Sequence, residues 1–136
     1  MNKLPSYRCV LFCEDIRSEI GGRVSLMGVL GSKLFVQEFP LLFPKFCLFV
    51  EWGDIIGKVS VMLNIVPPEG VVMPRGKPCA EFKGQAGITA RSMIILNGFV
   101  FPKAGPYSFE IIANNSVAGC ETMVVEKIEA PTSTPN

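Results

Sequence analysis

The chain has 136 residues and a formal charge of +1. That length suits one domain with a self-sufficient core, and that charge supplies no global field to gather nucleic acid or an anionic membrane. The absence of histidine removes Ser-His and Cys-His nucleophile pairs, most catalytic zinc sites and the commonest general base near neutral pH.

In chain order, the first eight residues lack the continuous apolar region of a signal peptide. The apolar runs further on are broken by Lys, Glu or Pro well short of the roughly 20 residues that span a bilayer. The expected location is therefore cytoplasmic. Strand signals then recur at short intervals. The first covers 7–13, and the second covers 23–30 after the turn Gly21-Gly22. A short third covers 33–36, and a Pro-bounded connection covers 39–44. The fourth strand, 45–52, is apolar on both faces, and a turn at 53–57 leads to the fifth, 58–66. There Val59, Val61, Leu63 and Ile65 point one way, and Lys58, Ser60 and Asn64 the other, which is the period of a half-buried strand. The prolines and glycines of 67–78 forbid a regular ladder.

Further strands are expected at 79–83, 91–101, 106–113 and 117–126. The last two form a hairpin. Tyr107, Phe109, Ile111 and Ala113 alternate with Ser108, Glu110, Ile112 and Asn114, and Asn114-Asn115-Ser116 supplies the turn. Only 14–21 could hold a helical turn. Eight or nine short strands at this spacing predict an all-β fold, an antiparallel immunoglobulin-like β-sandwich. The expected organisation is one domain over 1–129 and a disordered, Pro-containing tail over 130–136.

Five cysteines, Cys9, Cys13, Cys47, Cys79 and Cys120, are odd in number and form no C-x-x-C pair. They read as reduced thiols serving as small apolar residues in a reducing compartment. Hydrophobic residues make up 49% of the chain and charged ones 18%. That balance implies either a tightly filled core or an apolar surface covered by a partner or a second copy.

Two segments carry a resemblance. One is Cys13-Glu14-Asp15-Ile16-Arg17-Ser18-Glu19 followed by Gly22-Arg23-Val24-Ser25-Leu26-Met27-Gly28-Val29, and the other runs from Pro102 through Gly105-Pro106-Tyr107-Ser108-Phe109. Together they resemble an uncharacterised family of short bacterial and phage proteins. Its members share an opening C-[DE]-D-x-R-x-E … K-x-S-L-x-G-V and a closing P-G-x-Y-x-F. This chain departs with Arg23 in place of Lys and with a Pro after Gly105. The resemblance implies no activity and no role for Glu14, Asp15, Arg17 or Glu19, which match the opening motif. Gly-x-Tyr-x-Phe entering a late strand is also similar to the tyrosine corner of immunoglobulin-like domains, where the hydroxyl bonds back to the backbone.

Three groups are candidate sites. Glu14, Asp15, Arg17 and Glu19 form the densest ionisable cluster. Paired carboxylates could hold a hard cation or act as acid and base, or Arg17 could fork to Asp15 or Glu19 and fix a crossover. Metal binding would need more oxygen ligands than this segment offers, so no metal and no cofactor are expected. Arg75 and Lys77 form a candidate anion-contact loop, with a solvated loop tip as the alternative. Phe46, Phe49 and Trp52 form a candidate interface, with burial of a central strand as the alternative. The function expected is a non-catalytic interaction module, self-associating or bound to a protein partner, without nucleic-acid or membrane binding. The alternatives are a ligand-sequestering protein or small enzyme using the acidic cluster, and a phage-borne structural or assembly subunit.

Overall fold

A computed structural model describes residues 5–53, 55–73 and 79–128. Arg75, Lys77 and the tail 130–136 lie outside these residues. Ten strands follow one another in the order β1 (Tyr7–Cys13), β2 (Asp15–Ser18), β3 (Val24–Met27), β4 (Lys33–Val36), β5 (Leu41–Trp52), β6 (Gly57–Val66), β7 (Cys79–Gly84), β8 (Arg91–Phe101), β9 (Gly105–Ala113) and β10 (Ser116–Lys127). No helix occurs among the described residues. The class is all-β.

The strands form a three-stranded sheet in the order β1-β5-β8, a five-stranded sheet in the order β4-β10-β9-β6-β7, and a two-stranded ribbon of β2 and β3. All pairings are antiparallel except β4 on β10, which is parallel and sets Lys33 opposite Val124 and Val36 opposite Lys127. The hairpin of β9 and β10 turns at Asn114 and Asn115, both at positive φ (49° and 66°). Asn tolerates that region because its short polar side chain bonds locally. Here the Asn114 side chain accepts from the Ser60 amide at 2.9 Å.

The core lies between the two larger sheets. From the three-stranded sheet come Phe46, Leu48, Val50 and Trp52 of β5 with Ile94, Phe99 and Phe101 of β8. From the five-stranded sheet come Val59, Val61 and Leu63 of β6 with Tyr107, Phe109 and Ile111 of β9. Phe46 is the hub. It stacks on Phe99 at 4.9 Å, on Phe109 of the opposite sheet at 5.7 Å, and meets Phe101 edge-on at 5.4 Å. The indole N–H of Trp52 donates to Ser92 Oγ at 2.9 Å, so the buried polar atom of this end of the core is paired.

Three expectations are corrected. The segment 14–21, read as a possible helical turn, contains strand β2 and its turn into β3. Four residues with one apolar position, Ile16, are too few for periodicity to reveal a strand; the strand is fixed by what it covers. The connection 39–44 is in part strand, because β5 starts at Leu41 and continues through Pro44. Pro44 falls between the ladder pairs Phe43–Phe99 and Lys45–Asn97, opposite Gly98. Gly98 has φ +71°, which a glycine adopts at no steric cost. The inward face switches there: Ile94 points in on one side of Gly98, and Phe99 and Phe101 point in on the other. Ten strands therefore stand where eight or nine were expected. Cys79 and Cys120 are exposed, so the reading of the thiols as small apolar residues fits Cys13 and Cys47, which are buried, and in part Cys9, which is half-buried.

Candidate functional site

The feature of this fold that a plain two-sheet sandwich does not need is the ribbon. The three-stranded sheet has one face in the core and an outer face built by alternate residues. On that outer face Leu11 pairs across the ladder with Phe49, and Cys13 with Cys47. Phe49 pairs in turn with Met93, and Cys47 with Ile95. The ribbon folds over part of this surface. Ile16, Val24 and Leu26 pack on Cys13, Cys47 and Phe49, making a second, smaller apolar core. The ribbon is anchored at its base by backbone bonds, with the Glu14 amide donating to Met27 O at 2.9 Å and the Leu30 amide to Phe12 O at 2.7 Å. Gly28 lies under the Glu14 carboxylate, and its φ of +66° is one that a side-chain-bearing residue rarely adopts.

Burial, followed by the neighbouring Cys47, pushes the Cys13 thiol up to about 11. Burial also raises the Cys47 thiol, with the Asp15 carboxylate adding to it. Both are therefore protonated, apolar and unreactive near neutral pH.

The cover is incomplete. Leu11 and Met93 remain 38% exposed and Ile95 44%. Further along the same face, beyond the Gly98 switch, Leu42 and its ladder partner Val100 are exposed as well. These residues form an apolar band on the outer side of the β5–β8 pair, interrupted by Lys45 and Asn97. Among the described residues β8 pairs with β5 alone, on one of its edges. Beside the ribbon a cleft of about 400 Å³ is lined by Gly22, Arg23, Val24, Leu26, Phe49 and Arg91. A second, shallower opening over β6 and β7 is lined by Lys58, Glu81, Phe82 and Lys83. Lys58 and Glu81 pair there at 3.4 Å, which leaves the charge of Lys83.

The acidic cluster does not converge. Glu14, Arg17 and Glu19 are exposed, and Asp15 is half-buried. Arg17 Nε stands 3.9 Å from Asp15, and Lys45 Nζ stands 3.5 Å from the other Asp15 oxygen. Asp15 Oδ1 also accepts from the Ile16 amide at 2.9 Å. Asp15 thus ties the ribbon to β5 through Lys45, while Glu14 and Glu19 point elsewhere. No group of three or more His, Cys, Asp or Glu positioned to hold a metal occurs among the described residues.

The aromatic trio is corrected as an interface. Phe46 and Trp52 are fully buried in the main core, and Phe49 is 7% exposed beneath the ribbon. Phe46 and Trp52 offer no surface to a protein partner, and Phe49 shows only a sliver beside the ribbon. The exposed apolar residues are their neighbours on β1 and β8. Arg23, Arg91, Leu11, Met93 and Ile95 were not singled out from the sequence. The alternation Arg91, Met93, Ile95, Asn97 carried the signal, but an apolar strand of that kind does not say which of its faces is outside.

The structure defines an all-β domain of two facing sheets with a ribbon inserted between the first strand and the edge strand β4. A family model described as a family of unknown function (DUF6941) matches residues 8–126, and the chain belongs to that family. No curated protein matches the chain.

Proposed function

We propose that this domain is a non-catalytic, self-associating interaction module, and that copies join through β8 and the outer apolar band beside it. The observation that carries this reading is the edge of β8 away from β5, which pairs with no strand among the described residues. From Ser92 to Phe101 the strand holds no charged residue, and Met93, Ile95 and Val100 are exposed along it. Natural edges are blunted by charge, Pro, bulges or a covering segment. Of the other edges, β1 carries Arg8, β7 carries Glu81 and Lys83, and β4 is only four residues long. A second copy is the occupant that suits β8. Antiparallel pairing about a two-fold axis makes each strand its own complement and asks for no opposite charge. Such pairing would join two three-stranded sheets into one of six and cover the apolar band from the side.

The finer architecture we propose is immunoglobulin-like. The order β1-β5-β8 corresponds to strands A-B-E, and β7-β6-β9-β10 to C′-C-F-G. Tyr107 donates its hydroxyl to Lys103 O at 2.7 Å, a bond of the kind a tyrosine corner makes. Two residues on, Phe109 meets Phe46 of the opposite sheet, at the place where a disulfide links the sheets of antibody domains. Sedimentation velocity over a wide concentration range tests the association: a concentration-dependent shift to a dimer or larger supports it, and a single monomer boundary throughout opposes it. The ligand-sequestering alternative that used the acidic cluster is weaker, since Glu14, Arg17 and Glu19 face solvent separately.

A further inference from the structure

The cleft beside the ribbon has an apolar floor and a cationic rim. The floor is Val24 and Leu26 of β3 against Phe49 of β5, and the rim carries Arg23 and Arg91 from two different elements. Its volume of about 400 Å³ falls in the range of small-molecule sites. Neither guanidinium makes an ion pair among the described residues. The acid nearest Arg91 across the ladder is Glu51, and Glu51 is approached by Arg8 at 3.9 Å instead. Two unpaired cations over an apolar floor form a complementary surface for one kind of ligand. We propose that this cleft binds a small amphipathic monocarboxylate, with its acyl or aryl group on Phe49, Val24 and Leu26 and its carboxylate between Arg23 and Arg91.

The chemistry of the rim favours a carboxylate. A guanidinium presents a planar fork of donors that matches carboxylate oxygens, and a charge-assisted bond of this type is about twice as strong as a neutral one. The floor adds what an inorganic anion cannot use. Phe49 packs in the second core with Cys13, Cys47 and the ribbon residues Ile16, Val24 and Leu26. The site is thus formed before a ligand arrives, and little ordering is required on binding. The cleft reaches β8 only at Arg91, ahead of the uncharged stretch 92–101, so binding there is tested independently of self-association.

Isothermal titration with octanoate tests it, with octan-1-ol, acetate and inorganic phosphate as comparison ligands. Octanoate should bind, and each comparison ligand should bind at least tenfold more weakly, because each lacks the charge, the apolar chain or both the chain and the planar carboxylate. Arg23→Gln and Arg91→Gln should each weaken octanoate binding by about tenfold, and added salt should weaken the wild type. Both side chains are exposed, so an unchanged melting temperature will establish that each variant is folded. Absence of octanoate binding overturns the proposal. So does equal binding of octan-1-ol or phosphate, or unchanged affinity in either folded variant.

Discussion

Tyr107 is fully buried, its ring meets Phe101 edge-on at 4.8 Å, and its hydroxyl reaches back four residues to Lys103 O. Tyr107→Phe keeps the ring and strands the acceptor, so chemical denaturation should show a loss of about 1–2 kcal/mol. Tyr107→Ala adds a cavity and should cost about 3–5 kcal/mol. A neutral Tyr107→Phe would reduce the residue to packing and remove the local support for the corner.

Tyr7 plays the corresponding part at the other end of the core between the two sheets. It leans edge-on against Trp52 at 6.0 Å and donates to Glu121 Oε1 of β10 at 3.0 Å, which ties the two sheets together. Its ring occupies the space where a Cβ of Gly119 would stand, so Gly119 is required there by close approach. Burial, and then the hydrogen bond to Glu121, push the Tyr7 phenol up to about 12. Burial also raises the Tyr107 phenol. A raised phenol in the folded chain means that only the unfolded chain releases the proton just above pH 10. The contribution of Tyr7 to stability is therefore complete below about pH 10 and declines as pH rises towards 12. Denaturation midpoints measured on that alkaline limb should fall in the wild type, and fall less in Tyr7→Phe. Identical slopes would contradict the Tyr7–Glu121 tie.

Of the two readings the sequence left open for the acidic cluster, a fork from Arg17 that fixes a crossover requires a close pair. The Arg17 side chain is 66% exposed and its distance to Asp15 is 3.9 Å. An ion pair that open to water contributes little, so Arg17→Ala should change stability by no more than about 0.5 kcal/mol. A larger loss in thermal unfolding would show that the pair is tighter than its geometry implies.

At the scale of elements, β5 explains both what was legible and what was not. Its two apolar faces are visible in Phe46, Leu48, Val50 and Trp52 against Cys47 and Phe49. That pattern says a strand is covered on both sides, but not by what. The second cover is the ribbon, and its strands are four residues each, too short to carry a period. Beta1, β4 and β8 were legible to their end residues because turn chemistry or charge brackets a clear run. Beta5 was read short because proline argues against a central strand, and here Pro44 sits opposite Gly98 where neither takes part in a ladder pair. The acidic cluster was legible as a group of residues only. A strand sends successive side chains to opposite faces, so Glu14 to Glu19 could not all converge.

The ribbon is also the element whose removal is testable. Ile16 is 9% exposed and holds the ribbon to Cys13, Cys47 and Phe49. Ile16→Ala should cost about 2–3 kcal/mol and act locally. Thiol labelling gives the readout. In the native protein Cys79 and Cys120 should react first, and Cys13 and Cys47 last. In Ile16→Ala the labelling of Cys13 and Cys47 should accelerate while the circular dichroism remains that of a β protein. Unchanged protection of both thiols would mean that the ribbon is held by its backbone bonds alone.

At the scale of the whole molecule, composition asked where the apolar residues go when 49% of the chain is hydrophobic and 18% charged. The answer has two parts. Most fill two cores, one between the sheets and one under the ribbon. The remainder includes the outer band of Leu11, Leu42, Met93, Ile95 and Val100 beside an uncharged edge. We read that band as the surface through which copies associate, and Ile95 lies at its centre on the edge strand. Ile95→Lys places a charge on an exposed position where it disturbs neither core, and charge on an edge is the device that blocks strand pairing. The most direct measurement is sedimentation velocity of wild type and Ile95→Lys at matched concentrations from low to high micromolar. The wild type should form a concentration-dependent dimer or larger species, and Ile95→Lys should stay a monomer with an unchanged melting profile. A wild type that stays monomeric throughout, or a folded Ile95→Lys that associates as well as the wild type, would contradict it.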